Sequence, residues 1–272
     1  MSAPVKLSSP ATKEFWEIPV LFEDGDLLAL EKPAGLLTSP DRYELERPSL
    51  MALLHDAIKL QKPWARERGL TYLTNAHRLD YDTSGVILLA KNKLALIDLA
   101  NQFGSEQPQK TFSVLVWGAP PEKTFSVDAK LAPHPVKPGQ MAVDHRGGKK
   151  SHTDCEVLEQ FSDWSLLRCK PLTERTHQIR IHLKHAGFPV VADELYGGKQ
   201  LWLSRLKRDF YLKPGKVERA LISRAALHAE ELTVAHPVTN EPVTIKSELP
   251  KEFRVALKYL RQYASSAGGF AG

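Results

Sequence analysis

Cysteine is scarce: Cys155 and Cys169 are the only two in 272 residues. Two cysteines make no disulfide framework, and a reducing compartment is the simpler expectation. Long apolar runs are missing as well. "GVILLA" is typical of the longest, far short of a membrane span. The opening "MSAPVKLSSPATKEF" has no continuous apolar core of the kind a secretory leader uses. A cytoplasmic protein with no membrane partner is therefore expected. Signatures of phosphate and acyl chemistry are absent too. There is no GxxxxGK followed by Ser or Thr, no GxGxxG after a strand, and no GxSxG around Ser84. There is no HExxH, and His177, His182 and His185, at i, i+5 and i+8, do not share one helical face. No metal is expected from these patterns.

What is present is a mild basic excess, 37 Lys and Arg against 32 Asp and Glu, which suits a polyanionic partner without requiring one. Residues 1–16 read as a loose N-terminal arm and 264–272 as a flexible Ser/Gly/Ala tail. "IPVLFEDGDLLALEKPAGLLTSP" reads as strand, Asp-Gly turn, strand and Pro-Gly loop. "RPSLMALLHDAIKLQ" has helical spacing, and "QKPWARERGL" reads as a basic loop. Asn92 is placed to cap a helix with Leu94, Ile97 and Phe103 on one face. "SHTDCEVLEQ" and "WSLLRCKPL" suit a hairpin. In "RTHQIRIHLKHAGFPVV", Thr176 can cap a helix with Ile179, Leu183 and Ala186 as its stripe and Gly187 as its stop. "ALHAEELTVAHPVTNEPVTIKSELP" reads as a second hairpin, and a last amphipathic helix runs from Lys251 to about Tyr263. Strands in hairpins with interspersed helices predict an α+β fold, one domain over 17–263 around a long mixed, largely antiparallel sheet with a central cleft.

The chemical question lies in "NAHRLDYDTSGVILLAKN". His77, Arg78, Asp80 and Asp82 precede a Thr-Ser-Gly turn and a wholly apolar strand. Charge is costly to desolvate, so such a cluster is either solvated at a loop or held in a site. Asp80 and Asp82 could share Mg²⁺ if both faced one way, but Asp82 opens a turn where Asp serves local hydrogen bonding. From spacing alone Asp80 reads first as a turn residue or a salt-bridge partner, with a catalytic carboxylate as the alternative.

"HRLDYDTSGVILLAK" closely resembles the HRLDxxTSGxxLxAK signature of the RluA-type pseudouridine synthases. "FEDGDLLALEKPAGLLTSP", "RTHQIRIHLKHAGFPVVADELYG" and "ALHAEELTVAHPVTNEP" resemble that family's remaining motifs in order and spacing, from about residue 18 to 260. The resemblance implies a cofactor-free isomerase acting on uridine in ribosomal or transfer RNA, with the uridine turned out of its stack. It implies that Asp80 is the catalytic carboxylate, that Arg78 contacts phosphate or braces the flipped nucleotide, and that Arg180 pairs with Asp80. At the family's usual stacking Tyr this chain has Phe112, which keeps the aromatic face and lacks the hydroxyl. Glu174 and Ala192 stand where Gly is common in the family.

The resemblance also leaves no room for an N-terminal S4-type RNA-binding module, so grip is expected from the catalytic domain's own surface. Candidates are Arg175, Lys149 and Lys150, the basic loop 61–68 and a Lys/Arg-rich insertion at 199–219. A monomer is the expected state. Two rivals stay open: a non-catalytic RNA-binding or ribosome-assembly module, and a metal-dependent nuclease or glycosidase using Asp80 and Asp82.

Overall fold

A computed structural model describes residues 3–41 and 46–265. In chain order its strands and helices are β1 (Val5–Ser8), β2 (Phe15–Ile18), β3 (Val20–Glu23), β4 (Leu27–Lys32), α1 (Leu50–Lys59), α2 (Pro63–Glu67), β5 (Thr74–Asn75), β6 (Ser84–Ala90) and α3 (Lys93–Gly104). There follow β7 (Gln109–Trp117), β8 (Thr124–Pro133), β9 (Met141–Val143), β10 (Lys149–Gln160), β11 (Trp164–Pro171), α4 (Gln178–His185), α5 (Leu203–Leu206), β12 (Leu227–Ala235), β13 (Pro242–Lys246) and α6 (Lys251–Tyr263). The fold is α+β with mostly antiparallel pairing, as expected. The chain forms two compact units, residues 1–110 with 229–248, and 111–228 with 249–272.

In the first unit, strand order runs β3-β4-β6-β12, with β13 on β12 and β5 on β6. Every residue of β6 is buried, as its unbroken apolar run predicts. The Asp-Gly turn between β3 and β4 is held by Asp24, whose Oδ1 accepts from the backbone N–H groups of Asp26 and Leu27 at 2.8 Å each. Gly85 belongs to the strand and not to the preceding turn. It sits at φ +116°, and a Cβ there would lie 2.1 Å from the Ala229 carbonyl oxygen, so only glycine lets the two backbones meet. Asn92 caps α3 as expected, accepting from the Ala95 N–H at 2.9 Å.

Several expectations need correcting. The buried side of α3 is Ala95, Leu99 and Gln102, while Leu94 and Ile97 are 81% and 58% exposed. The larger side chains misidentified the face, because the smaller Ala95 is what lets the helix approach the sheet. The supposed loose arm is a β1–β2 hairpin with Val5 and Leu7 buried. Its lead-in is tied down by Arg68, which donates to the Ala3 carbonyl and to Glu23. Arg68 is therefore structural, and the expected basic loop contains α2, started by Pro63 at its first turn. Helix α1 takes Ser49 as its cap. Of the expected tail, Ala264 and Ser265 pair back through Ser162 and Phe161, and 266–272 lie outside the described residues.

In the second unit, the strand order is β7-β11-β10-β8-β9. The expected β10–β11 hairpin is present, with Cys155 directly opposite Cys169 and the two thiol sulfurs 3.4 Å apart. Burial pushes the Cys169 thiol well up, so it stays protonated and inert as a nucleophile. Helix α6 spans the expected residues and inserts Phe253, Ala256, Leu257 and Leu260 into a core shared with Leu115, Leu167 and Leu183.

Candidate active site

The segment carrying Asp80 is held almost wholly through backbone groups. Lys32 is fully buried at the end of β4, and its ammonium donates to the carbonyls of Pro33, Leu36 and Thr83 at 2.8, 2.6 and 3.0 Å. Three charge-assisted bonds offset part of its desolvation and fasten the Lys-Pro-Ala-Gly loop to the turn after Asp80. Gly35, at φ +76°, donates its N–H to the Tyr81 carbonyl at 2.9 Å. Buried Thr38 uses its hydroxyl twice, donating to the Leu79 carbonyl at 2.8 Å and accepting from the Leu79 N–H at 3.1 Å. The turn closes with Thr83 N–H on the Asp80 carbonyl, and the Arg47 guanidinium lies 4.0 Å over the Tyr81 ring.

Burial alternates along Arg78, Leu79 and Asp80: exposed, buried, half-buried. In an extended stretch that alternation puts Arg78 and Asp80 on the solvent side while Leu79 anchors. Within this unit, and among the described residues, the Asp80 carboxylate accepts no hydrogen bond and makes no ion pair. His77 has no such freedom. Its Nε2 accepts from the Leu88 N–H at 3.0 Å, and its ring stacks on Phe103 at 5.0 Å, so it is a core histidine.

Arg180, Phe112, Arg175, Lys149 and Lys150 all lie in the second unit. Phe112 is half-buried on β7 and packs against the core that contains Ile179 and Leu183. Arg180 is buried on α4 and makes a two-point bond to Asp193, Nε to Oδ2 at 2.7 Å and Nη2 to Oδ1 at 2.6 Å. The Tyr196 ring lies 5.1 Å below its guanidinium. Asp193 is the partner the sequence reading missed. Its only signal was an acidic residue near the end of "RTHQIRIHLKHAGFPVVADELYG".

Helix α4 begins differently from the expectation. Its cap is His177, at φ +55°, and Thr176 plays no capping role. Gln178 organises this end instead. Its Oε1 accepts from the Arg175 N–H and the Thr173 hydroxyl, and its Nε2 donates to the His152 carbonyl and to Thr153 Oγ1. Thr153 in turn bonds His182 Nδ1 at 2.9 Å, His182 Nε2 bonds Ser151 Oγ at 2.9 Å, and Ser151 donates to the Ala129 carbonyl. The chain has one consistent direction, with Thr153 donating to Nδ1 and Nε2 carrying the proton. Burial keeps His182 neutral, with its pKa lowered to about 4. Gly187, at φ +91°, ends the helix as expected.

Arg175 donates through Nε to the Lys150 carbonyl at 3.3 Å, so Arg175 and the exposed Lys149–Lys150 pair form one cationic edge at the start of β10. Asp24, Asp26 and His236 bring three possible metal-binding atoms within 4.8 Å of one another. Each already has work. Asp24 Oδ1 closes its turn, Asp26 Oδ1 accepts from Asn92, and His236 Nδ1 accepts from the Val238 and Thr239 N–H groups while Nε2 faces Asp24 Oδ2 at 2.9 Å. The cluster is explained as a structural brace.

Residues 26–185 match the profile of the RNA pseudouridylate synthase family. An uncharacterized RNA pseudouridine synthase of Chlorobaculum parvum is 34% identical over 90% of this chain and 74% of its own length. The ribosomal large subunit pseudouridine synthase D of Nitrosomonas europaea is 35% identical over 92% of this chain and 67% of its own. The solved human RNA pseudouridylate synthase domain-containing protein 4 shares the fold, with a TM-score of 0.69 at 23% identity, covering 89% of this chain and 92% of that one.

The chain belongs to the RNA pseudouridylate synthase family. Its likeness is to the RluA type: the dual-specificity RNA pseudouridine synthase RluA of Escherichia coli K12 is 32% identical over 89% of this chain and 96% of its own length. An RNA-modifying isomerase, the expectation raised by the four motifs, is borne out. Among the described residues no helix is long and apolar enough to cross a membrane.

Proposed function

We propose that this chain converts specific uridines in ribosomal or transfer RNA to pseudouridine, in the cytoplasm and as a monomer, with residues 17–263 as the catalytic domain and neither metal nor cofactor. Asp80 is its catalytic carboxylate. The observation that carries the reading is the Asp80 segment, in which Gly35 and the buried Lys32 and Thr38 brace the backbone and the carboxylate is left uncommitted within its unit.

The reaction is an isomerisation, so atoms balance within the nucleotide. The N1–C1′ bond breaks, the base turns, C5 bonds to C1′, the C5 proton leaves and N1 gains a proton. An ionised Asp80 either attacks C1′ or stabilises the positive charge developing on the sugar. Arg78, exposed two residues earlier, contacts phosphate or braces the flipped nucleotide. Phe112 offers the base a stacking face. It has no hydroxyl, so removal of the C5 proton falls to water or to Asp80. Arg180 supports the site, and the cationic edge of Arg175, Lys149 and Lys150 takes RNA backbone.

The test is the Asp80→Asn chain incubated with ribosomal and transfer RNA, with pseudouridine mapped by chemical labelling. Loss of conversion with RNA binding retained supports the reading. Conversion equal to that of the parent removes Asp80 from the mechanism and returns the chain to the class of non-catalytic RNA-binding modules.

A further inference from the structure

The segment between Leu201 and Ile222 is a stapled excursion. Its ends are bridged, with the Leu221 N–H donating to the Leu201 carbonyl at 2.8 Å. A second tie follows, from the Ser204 N–H to Glu218 Oε1 at 2.8 Å. Leu206, on the short α5, is buried in the core of the second unit. Beyond these anchors the chain leaves that core. Tyr211 is 76% and Val217 88% exposed.

The excursion carries Lys207, Arg208, Lys213, Lys216 and Arg219. Among the described residues none of the five makes an ion pair. Of its two acids, Asp209 and Glu218, the second is taken up at the staple. Arg205 lies 4.8 Å over the Trp117 ring and belongs to the base of the loop. The result is a firmly rooted loop whose tip offers one bare aromatic ring among unpaired cations. The apolar surface is short: Tyr211 continues only into the partly exposed Leu212, and Val217 lies apart beyond Lys213 and Lys216. An exposed ring flanked on both sides by cations suits single-stranded nucleic acid, where phosphates and unstacked bases alternate.

We propose that residues 207–219 form a further RNA-gripping element, in which Tyr211 stacks on an unpaired nucleotide and Lys213 and Lys216 neutralise neighbouring phosphates. The proposal rests on the reading of this chain as an enzyme acting on RNA. It adds a preference: the RNA held here is single-stranded.

The probe is a labelled 12-nucleotide oligouridine, with an RNA duplex of equal length as control, titrated against the full chain by fluorescence anisotropy over a range of KCl. Tyr211→Ala is expected to weaken single-strand binding by about 5- to 150-fold, the loss of one stacked base. Tyr211→Phe keeps the ring and is expected to bind like the parent. The Lys213→Ser/Lys216→Ser chain is expected to lower the slope of log affinity against log salt by about 1.4. Tyr211→Ala binding like the parent, an unchanged salt slope, or equal binding of the parent to poly-glutamate overturns the proposal. Pseudouridine formation by the parent is measured alongside. Where the parent converts uridine and the loop variants bind unchanged, the loop assignment alone fails. Where the parent neither converts nor binds RNA, the functional reading itself fails.

Discussion

The Asp80 segment and helix α4 are both built around buried charge, in opposite ways. At the Asp80 segment the buried charge is Lys32, its partners are backbone carbonyls, and the Asp80 carboxylate, proposed as the catalytic group, is left out of the scaffold. At α4 the buried charge is Arg180, paired with Asp193 beyond the helix end, and the helix is wired by side chains from Gln178 to His182. A site braced by backbone groups tolerates loss of its functional side chain. A helix wired by side chains does not.

The largest effect expected from this contrast is on chemistry with none on the fold. Asp80→Asn should lower pseudouridine formation by at least about a thousandfold, as loss of the proposed catalytic carboxylate would. Stability should move by no more than about 0.5 kcal/mol, because no scaffold bond is removed. Chemical denaturation beside the activity assay checks both halves. A melting shift of several degrees would mean that the carboxylate also braces its loop.

Asp193→Ala is the opposite case. It removes the two-point carboxylate partner of Arg180, whose side chain is 4% exposed. Breaking such a pair costs about 3–5 kcal/mol. Denaturation should show that loss, and an unchanged midpoint would show that Arg180 finds water or another acceptor without penalty.

His182 makes the difference visible in pH. Its pKa is lowered to about 4 from 6.5, first by burial, with the Ala129 backbone carbonyl opposing, His185 and His152 pushing it down further and Asp128 opposing. The unfolded chain therefore binds a proton at this group before the folded one does. The stabilisation is fully present above about pH 6.5 and is lost as pH falls toward 4, by on the order of 3 kcal/mol in all. His152, held between Asp128 and Asp154, is raised and tilts the profile the other way. The quantity to measure is thus the difference between parent and His182→Gln across pH 4–7. Parallel profiles would show that His182 is charged in the folded state.

What could be read from the sequence follows the same division. The α+β class, the β10–β11 and β12–β13 hairpins, the Asn92 cap and helix α6 came from periodicity and turn chemistry, which act over a few residues. Asp80 stood out because charge beside an apolar strand is locally anomalous. Lys32 and Asp193 were not legible, since each takes its meaning from a partner met only on folding: Thr83, 51 residues from Lys32, and Arg180, 13 residues from Asp193 across a turn. The β1–β2 hairpin was missed for a related reason. Ser and Pro made its strands look like linker, while Val5 and Leu7 gain their value only by burial.

The smallest expected effect sits beside Asp193. Ala192 adopts φ +58°, a left-handed conformation that costs a residue with a Cβ about 1–2 kcal/mol. Glycine removes that cost but gives up about 0.5–1 kcal/mol in chain entropy, and it also loses a methyl group that is 7% exposed. Ala192→Gly should therefore stabilise the chain by about 0.5 kcal/mol or less. Strain at this position is the cost of aiming Asp193 at Arg180, and relieving it should leave that pair intact. The double variant Ala192→Gly/Asp193→Ala separates the contributions: if the two changes add, the strain belongs to the backbone alone. If the gain from glycine appears only when Asp193 is present, the ion pair is what holds Ala192 left-handed.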